Sequence, residues 1–241
     1  MDYFRSLIIY LASFLIGSTS AVIYPCNFTS FKNWFADEET YDCKVISNSA
    51  VIVNCTDRNV TNVEGKHEPY KKNDLVTSFS MSFIKTHRMP RGLENHFKNL
   101  ILLDIYYCKM HVVYKNDLKP FPKLKYLSLM SNKITYMEPN LFQYNPKLEV
   151  LLLGDNEVKI VSATFEGMPN LRYLDFRDNP CHSQRVKDKS KIKGLIKNIY
   201  FNCTVCSLVT DICGECQQNL SLHYLMASEM LQEKTKKNNV L

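Results

Sequence analysis

The chain has 241 residues, enough for one or two domains, and a formal net charge of +6. With 45% hydrophobic and 22% charged residues it can bury a core, which excludes a disordered chain. The charge is too modest and too local for a dedicated nucleic-acid binder, so no nucleic-acid partner is expected.

Residues 1–21 read as a secretory signal peptide. Arg5 supplies a short charged start, Leu7 to Ile16 an apolar centre, and Thr19 and Ala21 a small-residue cleavage site. The expected localisation is secreted and extracellular. No later stretch approaches the roughly 18 apolar residues of a membrane span, so none is expected. In an oxidising compartment cysteines form disulfides before they bind metal.

Residues 22–75 carry Cys26, Cys43 and Cys55 and are predicted to form an N-terminal cysteine-containing cap. Cys26–Cys43 and Cys43–Cys55 are both possible pairings. Phe31, Trp34 and Phe35 are expected to plug the open end of the core. Residues 64–75, with Gly65, Pro69 and Lys71-Lys72, read as a loop.

Residues 76–180 align on themselves. Leu124, Leu148 and Leu171 open three lines; Leu127, Leu151 and Leu174 follow three on; Leu129, Leu153 and Phe176 come two later; Asn132, Asn156 and Asn179 close the pattern. This L-x-x-L-x-L-x-x-N spacing is the leucine-rich-repeat signature. Leu100, Leu103 and Ile105 fit with Cys108 in the asparagine slot, and Val76, Phe79 and Met81 fit weakly one step earlier. Starts at 76, 100, 124, 148 and 171 give steps of 24 or 23 residues. A helix would instead repeat apolar residues at i, i+3, i+4 and i+7.

The predicted fold is therefore an α/β repeat solenoid: a horseshoe of four to five repeats with a parallel concave sheet and disulfide-stabilised caps at both ends. Asn132, Asn156 and Asn179 should stack as a buried ladder, because an amide can satisfy backbone donors and acceptors stranded in a turn. Ile134, Met137 and Phe142, and then Val158, Val161 and Phe165, should roof the core from the convex side.

Residues 181–216 are predicted to form a cysteine-rich C-terminal cap containing Cys181, Cys203, Cys206, Cys213 and Cys216. Cys181 is expected to pair with Cys203 or a neighbour in that cluster. Two Cys-x-x-Cys pairs can hold zinc, but the six residues between Cys206 and Cys213 fall short of the usual gap, so no metal is expected. Ile192, Leu195, Ile196 and Ile199 fit one helix face. Arg185, Lys187, Lys189, Lys191, Lys193 and Lys197 make the same segment basic. Residues 217–241 read as a tail with a helical apolar stripe at Leu220, Tyr224, Leu225 and Leu231. Cysteines number nine, an odd count. Cys108 in its buried slot is the expected free thiol; an exposed spare cysteine, or the tail, could instead join two copies.

The concave wall should display three columns: Leu102, Tyr126, Val150 and Tyr173; Asp104, Ser128, Leu152 and Asp175; Tyr106, Met130, Gly154 and Arg177. Aromatic residues with arginine are the usual anchors of protein interfaces. Five Asn-x-Ser/Thr sites (Asn27, Asn54, Asn59, Asn202 and Asn219) are glycosylation candidates, and all lie outside the repeats. The six histidines fall in no catalytic or metal spacing, and no nucleophile elbow or phosphate loop is present, so neither enzyme activity nor a cofactor is expected.

Residues 90–97, Pro-Arg-Gly-Leu-Glu-Asn-His-Phe, together with Asp117-Leu-Lys-Pro-Phe-Pro122, resemble short secreted leucine-rich-repeat proteins numerous in dipteran insects, a resemblance that spans about residues 26 to 200. More broadly, the repeats resemble the ectodomains of Toll-type receptors and slit-like proteins. The resemblance implies fold and secretion, and an immune-recognition or regulatory role. The expected function is a protein-interaction module that binds an extracellular protein on its concave face. The alternative is a matrix or structural protein that holds anionic glycan on the basic cap.

Overall fold

The computed structural model describes residues 22–33, 38–46, 59–165 and 167–205. Its first strands are β1 (Val22–Asn33), β2 (Glu38–Val45), β3 (Val60–Glu64), β4 (Ser78–Ser82) and β5 (Leu102–Tyr106). Then come β6 (Tyr126–Ser128), β7 (Tyr136–Met137), β8 (Val150–Leu152), β9 (Ile160–Val161), β10 (Tyr173–Asp175) and β11 (Arg185–Val186). Nine of them make one sheet in the order β11-β10-β8-β6-β5-β4-β2-β1-β3, and β7 pairs with β9 separately.

The run β4, β5, β6, β8, β10 is parallel throughout, one strand per repeat. The start of each strand repeats one bonding pattern. Lys125 and Tyr126 N–H both donate to Ile101 O; Glu149 and Val150 donate to Lys125 O; Arg172 and Tyr173 donate to Glu149 O. Strand alternation then sends Leu103, Leu127, Leu151 and Leu174 inward, where they are fully buried. Each such leucine contributes about 1.5–3 kcal/mol by leaving water. Val76, Phe79 and Met81 are equally buried, so the weakest repeat in the sequence is a complete one in the fold.

The three asparagines each tie two turns together. Asn156 Nδ2 donates to Leu153 O and Gly154 O in its own turn and to Leu129 O one repeat back, while its Oδ1 accepts from Ile134 N–H. Asn132 and Asn179 do the same in their repeats. On the convex side Asn145 Nδ2 donates to Leu118 O at 3.0 Å and Phe121 O at 2.8 Å. That second staple was not expected from the sequence.

At the N-terminal end, β1 and β2 form an antiparallel pair, and β2 extends the parallel run through β4. Cys26 bonds Cys43 there, so the pairing left open by the sequence takes the first alternative. Cys55 lies outside the described residues, as do Trp34 and Phe35. The aromatic plug differs from expectation. Phe31 is 39% exposed, because it lies beyond the stretch of β1 that faces the core; Tyr24, Phe28 and Tyr41 are buried instead. Gly65 brings the following loop against β1, where a Cβ would sit 2.2 Å from Cys26 O.

Two short helices, α1 (Leu93–His96) and α2 (Lys115–Leu118), occupy the convex side of the first two repeats. The buried Asp117 carboxylate caps α2 by accepting from Tyr114 N–H and also takes Arg91 Nε at 3.3 Å. At the C-terminal end, Asp188 caps α3 (Lys189–Tyr200) by accepting from Ser190 N–H. Ile192, Leu195 and Ile199 of α3 are buried, and the helix is anchored by the Cys181–Cys203 disulfide and by Tyr200 OH, which accepts from Phe165 N–H at 2.8 Å.

Candidate interaction surface

The strands place the first two columns in register. Leu102, Tyr126, Val150 and Tyr173 are successive partners across β5, β6, β8 and β10, and so are Asp104, Ser128, Leu152 and Asp175. These side chains leave the sheet on the face opposite the leucine core. Leu102, Tyr126, Val150, Leu152 and Tyr173 form a second hydrophobic cluster, with Met130 packed against it.

An open wall was expected here, and its centre is closed to water. Val150 is 1% exposed and Tyr126, the most open of the five, 8%. Strands about 4.8 Å apart press Tyr126 and Tyr173 against Val150 from both sides, and Lys187 Nζ lies 5.5 Å over the Tyr173 ring. The Tyr126 hydroxyl is pushed well above its ordinary range by this burial, so it remains a neutral donor.

The rim of the cluster is charged. Arg177 clasps the buried Asp175 carboxylate with two nitrogens, its terminal nitrogen at 2.7 Å and Nε at 3.0 Å. Gly154 makes room for this clasp: a Cβ there would lie 3.3 Å from Asp175 Oδ1 and 3.4 Å from Met130 Cε. Toward β2 the wall becomes polar. Asp42 accepts from Ser78 Oγ at 2.7 Å and Ser80 Oγ at 3.0 Å. Burial raises the carboxyl of Asp42, and burial with the nearby Asp42 charge raises Asp104 to about 6. Tyr106, half-buried, meets two aromatic residues outside the predicted columns, Phe83 and Tyr107.

The basic patch begins at the edge of the wall, where Arg185 pairs with Asp175 across β11 and β10 and Lys187 lies over Tyr173, and continues along α3. Arg185, Lys187, Lys189, Lys191, Lys193 and Lys197 are all exposed, and Lys189, Lys193 and Lys197 repeat at i, i+4 and i+8 along α3. Of the glycosylation candidates, Asn27 and Asn59 are exposed, while Asn202 donates its amide nitrogen to His182 Nδ1 at 2.8 Å. Asn54, Asn219, Cys206, Cys213, Cys216 and the predicted tail lie outside the described residues, as does the predicted signal peptide. Among the described residues Cys108 is the free cysteine, and burial pushes its thiol up to about 12. Among these residues no cluster of three or more metal-ligating side chains occurs, and no helix is long and apolar enough to cross a membrane.

Residues 122–180 match the leucine-rich-repeat family model. Over 122 residues the chain is 32% identical to Toll-like receptor 10 of Bos taurus, covering 50% of this chain and 14% of that receptor. Among solved structures it is similar to Toll in the Toll–Spatzle complex of Drosophila, with 16% identity, a TM-score of 0.42, and coverage of 51% of this chain and 17% of that one. It is also similar to an internalin of Listeria monocytogenes, with 22% identity, a TM-score of 0.35, and coverage of 43% and 29%. The chain thus spans a small part of the length of the relatives it matches. With five parallel strands at the repeat spacing, an asparagine ladder beneath them and a disulfide at each end of the described residues, the chain has the fold of a disulfide-capped leucine-rich-repeat solenoid, and its repeats resemble those of Toll-type receptors.

Proposed function

We propose that this chain is an extracellular protein-interaction module whose recognition surface is the concave wall. The observation that carries this reading is the second hydrophobic cluster. A solenoid needs an apolar core on one side of its sheet only. Here the opposite side carries five large apolar residues that have almost no contact with water. Those five bury one another, so the wall is ordered before any partner arrives, and what it offers a partner is its part-exposed margin of Tyr106, Met130 and Arg177. The Asp175–Arg177 clasp and the polar Asp42–Asp104 end give the patch a direction, which fixes how a partner lies across it. The two disulfides fit the oxidising compartment that the secreted reading requires.

The test is affinity capture from extracellular fluid with the wild-type chain beside a folded Tyr126→Ala/Tyr173→Ala/Arg177→Ala chain. A protein retained by the first and lost by the second supports the concave wall. Equal retention by both sinks it.

The exposed row of cations on α3 favours a second reading, in which the basic cap holds an anionic glycan. Binding of that kind fades steeply with ionic strength, whereas an apolar contact persists. Elution from immobilised heparin that does not respond to salt would dismiss it.

A further inference from the structure

The residue seventh after each repeat start turns the chain out of its strand. It has positive φ in all five repeats: Phe83 (59°), Tyr107 (52°), Ser131 (53°), Asp155 (53°) and Asp178 (56°). In repeats three and four the turn lets this residue's N–H reach the next repeat, Ser131 N–H to Gly154 O and Asp155 N–H to Arg177 O. Serine and aspartate suit such a turn, since their short side chains bond locally; a bulky aromatic side chain there is strained.

Repeats one and two place aromatic rings in that position and leave them in water. Phe83 is 65% exposed and Tyr107 51%. Their rings stack at 5.2 Å with planes 7° apart, and Tyr106 meets both edge-on, at 5.9 and 5.7 Å. Backbone preference and the hydrophobic effect both act against this arrangement. Strain retained against both is the mark of a surface kept for binding.

The charge beside it has a sign. Lys85 and Lys109, two residues beyond Phe83 and Tyr107, are exposed. One repeat further, Lys133 is neutralised by Glu157 at 2.8 Å. Among the described residues Lys85 and Lys109 have no acidic partner.

We propose that Phe83, Tyr106 and Tyr107 form an aromatic ledge that docks an acidic protein segment carrying an exposed proline or aromatic side chain. The two rings stacked together, with a third at right angles, make an apolar corner for one protruding group. The lysines beside it select acidic flanks. A saccharide would need acceptors as well as donors for its hydroxyls, and here the two lysines only donate, which leaves the two phenol oxygens as the side-chain acceptors of the corner. The ledge is separate from the hydrophobic cluster of the wall, so it stands whether or not that surface takes a partner.

The test measures the full chain against two sets of probes: short synthetic peptides, acidic or basic and with or without an aromatic residue or proline, and an array of anionic oligosaccharides. Three variants run beside it: Phe83→Asn/Tyr107→Asn, Lys85→Glu/Lys109→Glu, and Tyr126→Ala/Tyr173→Ala/Arg177→Ala. Acidic peptides with an aromatic residue or proline should bind the wild type. They should weaken about tenfold or more in the first two variants and be unchanged in the third. Asparagine accepts positive φ, so the melting temperature of the first variant should equal or exceed that of the wild type. The proposal is overturned if those peptides do not bind, or bind all chains alike, or if oligosaccharides rather than peptides are lost from the first variant. A lower melting temperature with unchanged peptide binding also overturns it, because the rings would then be packing groups.

Discussion

Repeats one and two differ from repeats three to five at every turn that follows a strand. In the later repeats the ladder position is asparagine, the turn residue is serine or aspartate, and Lys133 is paired with Glu157. In the earlier ones the ladder position holds Ile84 and Cys108, the turn residue is Phe83 or Tyr107, and the lysines lack acidic partners among the described residues. The concave wall grades along the same axis, from the polar Asp42, Ser78 and Ser80 through the second repeat, which holds both Asp104 and Leu102, to the apolar Tyr126, Val150 and Tyr173. One backbone plan therefore carries two chemistries. The later repeats satisfy the rules of a stable solenoid, and the earlier ones depart from them at the buried ladder and at the exposed turn while keeping an apolar core.

The largest expected effect lies in the ladder. Asn156→Ala strands Ile134 N–H and three carbonyls, and should cost about 3 kcal/mol. An unchanged urea midpoint would remove the ladder from the contrast between the halves. Next is Asp104. Its folded carboxyl titrates near 6, above the roughly 3.9 of an unfolded aspartate. It therefore favours the fold below about pH 4, and that contribution is lost as pH rises through 6. Asp104→Asn should gain on the order of 1–2 kcal/mol relative to wild type between pH 4 and pH 7. Parallel denaturation at the two pH values checks it, and a constant difference refutes it. Cys108→Ala removes one buried sulfur with weak bonds to Tyr106 O and Met81 O, so it should cost only about 1 kcal/mol. A loss as large as that of Asn132→Ala would erase the distinction between the two ladder positions. The smallest effect belongs to Lys133 and Glu157, an exposed pair whose double-mutant cycle should show little coupling at low salt and none at high salt.

The later repeats were legible because their information is periodic. Leu127, Leu151 and Leu174 recur at fixed steps, and Asn132, Asn156 and Asn179 mark the turns. The first repeat was harder to read, since Val76 and Phe79 replace leucine; volume and burial matter at those positions more than residue identity. The registers of the wall followed from the repeat. Its closure did not, because the packing of Tyr126 and Tyr173 over Val150 depends on rotamers across three strands. Phe83 and Tyr107 sit one place beyond the columns that strand alternation brings to the wall. A comparison of the seventh position across repeats finds them, since aromatic residues stand there in place of serine and aspartate.

The two disulfides have a mechanical consequence. They close separations of 17 and 22 residues, each within its own end of the described chain. Between Cys43 and Cys181 no covalent shortcut occurs among the described residues. Pulled from its two ends, that stretch would unravel as a spring of discrete coils. Each 24-residue coil released would add up to about 80 Å of slack at roughly 3.4 Å per residue, while both ends stayed stapled.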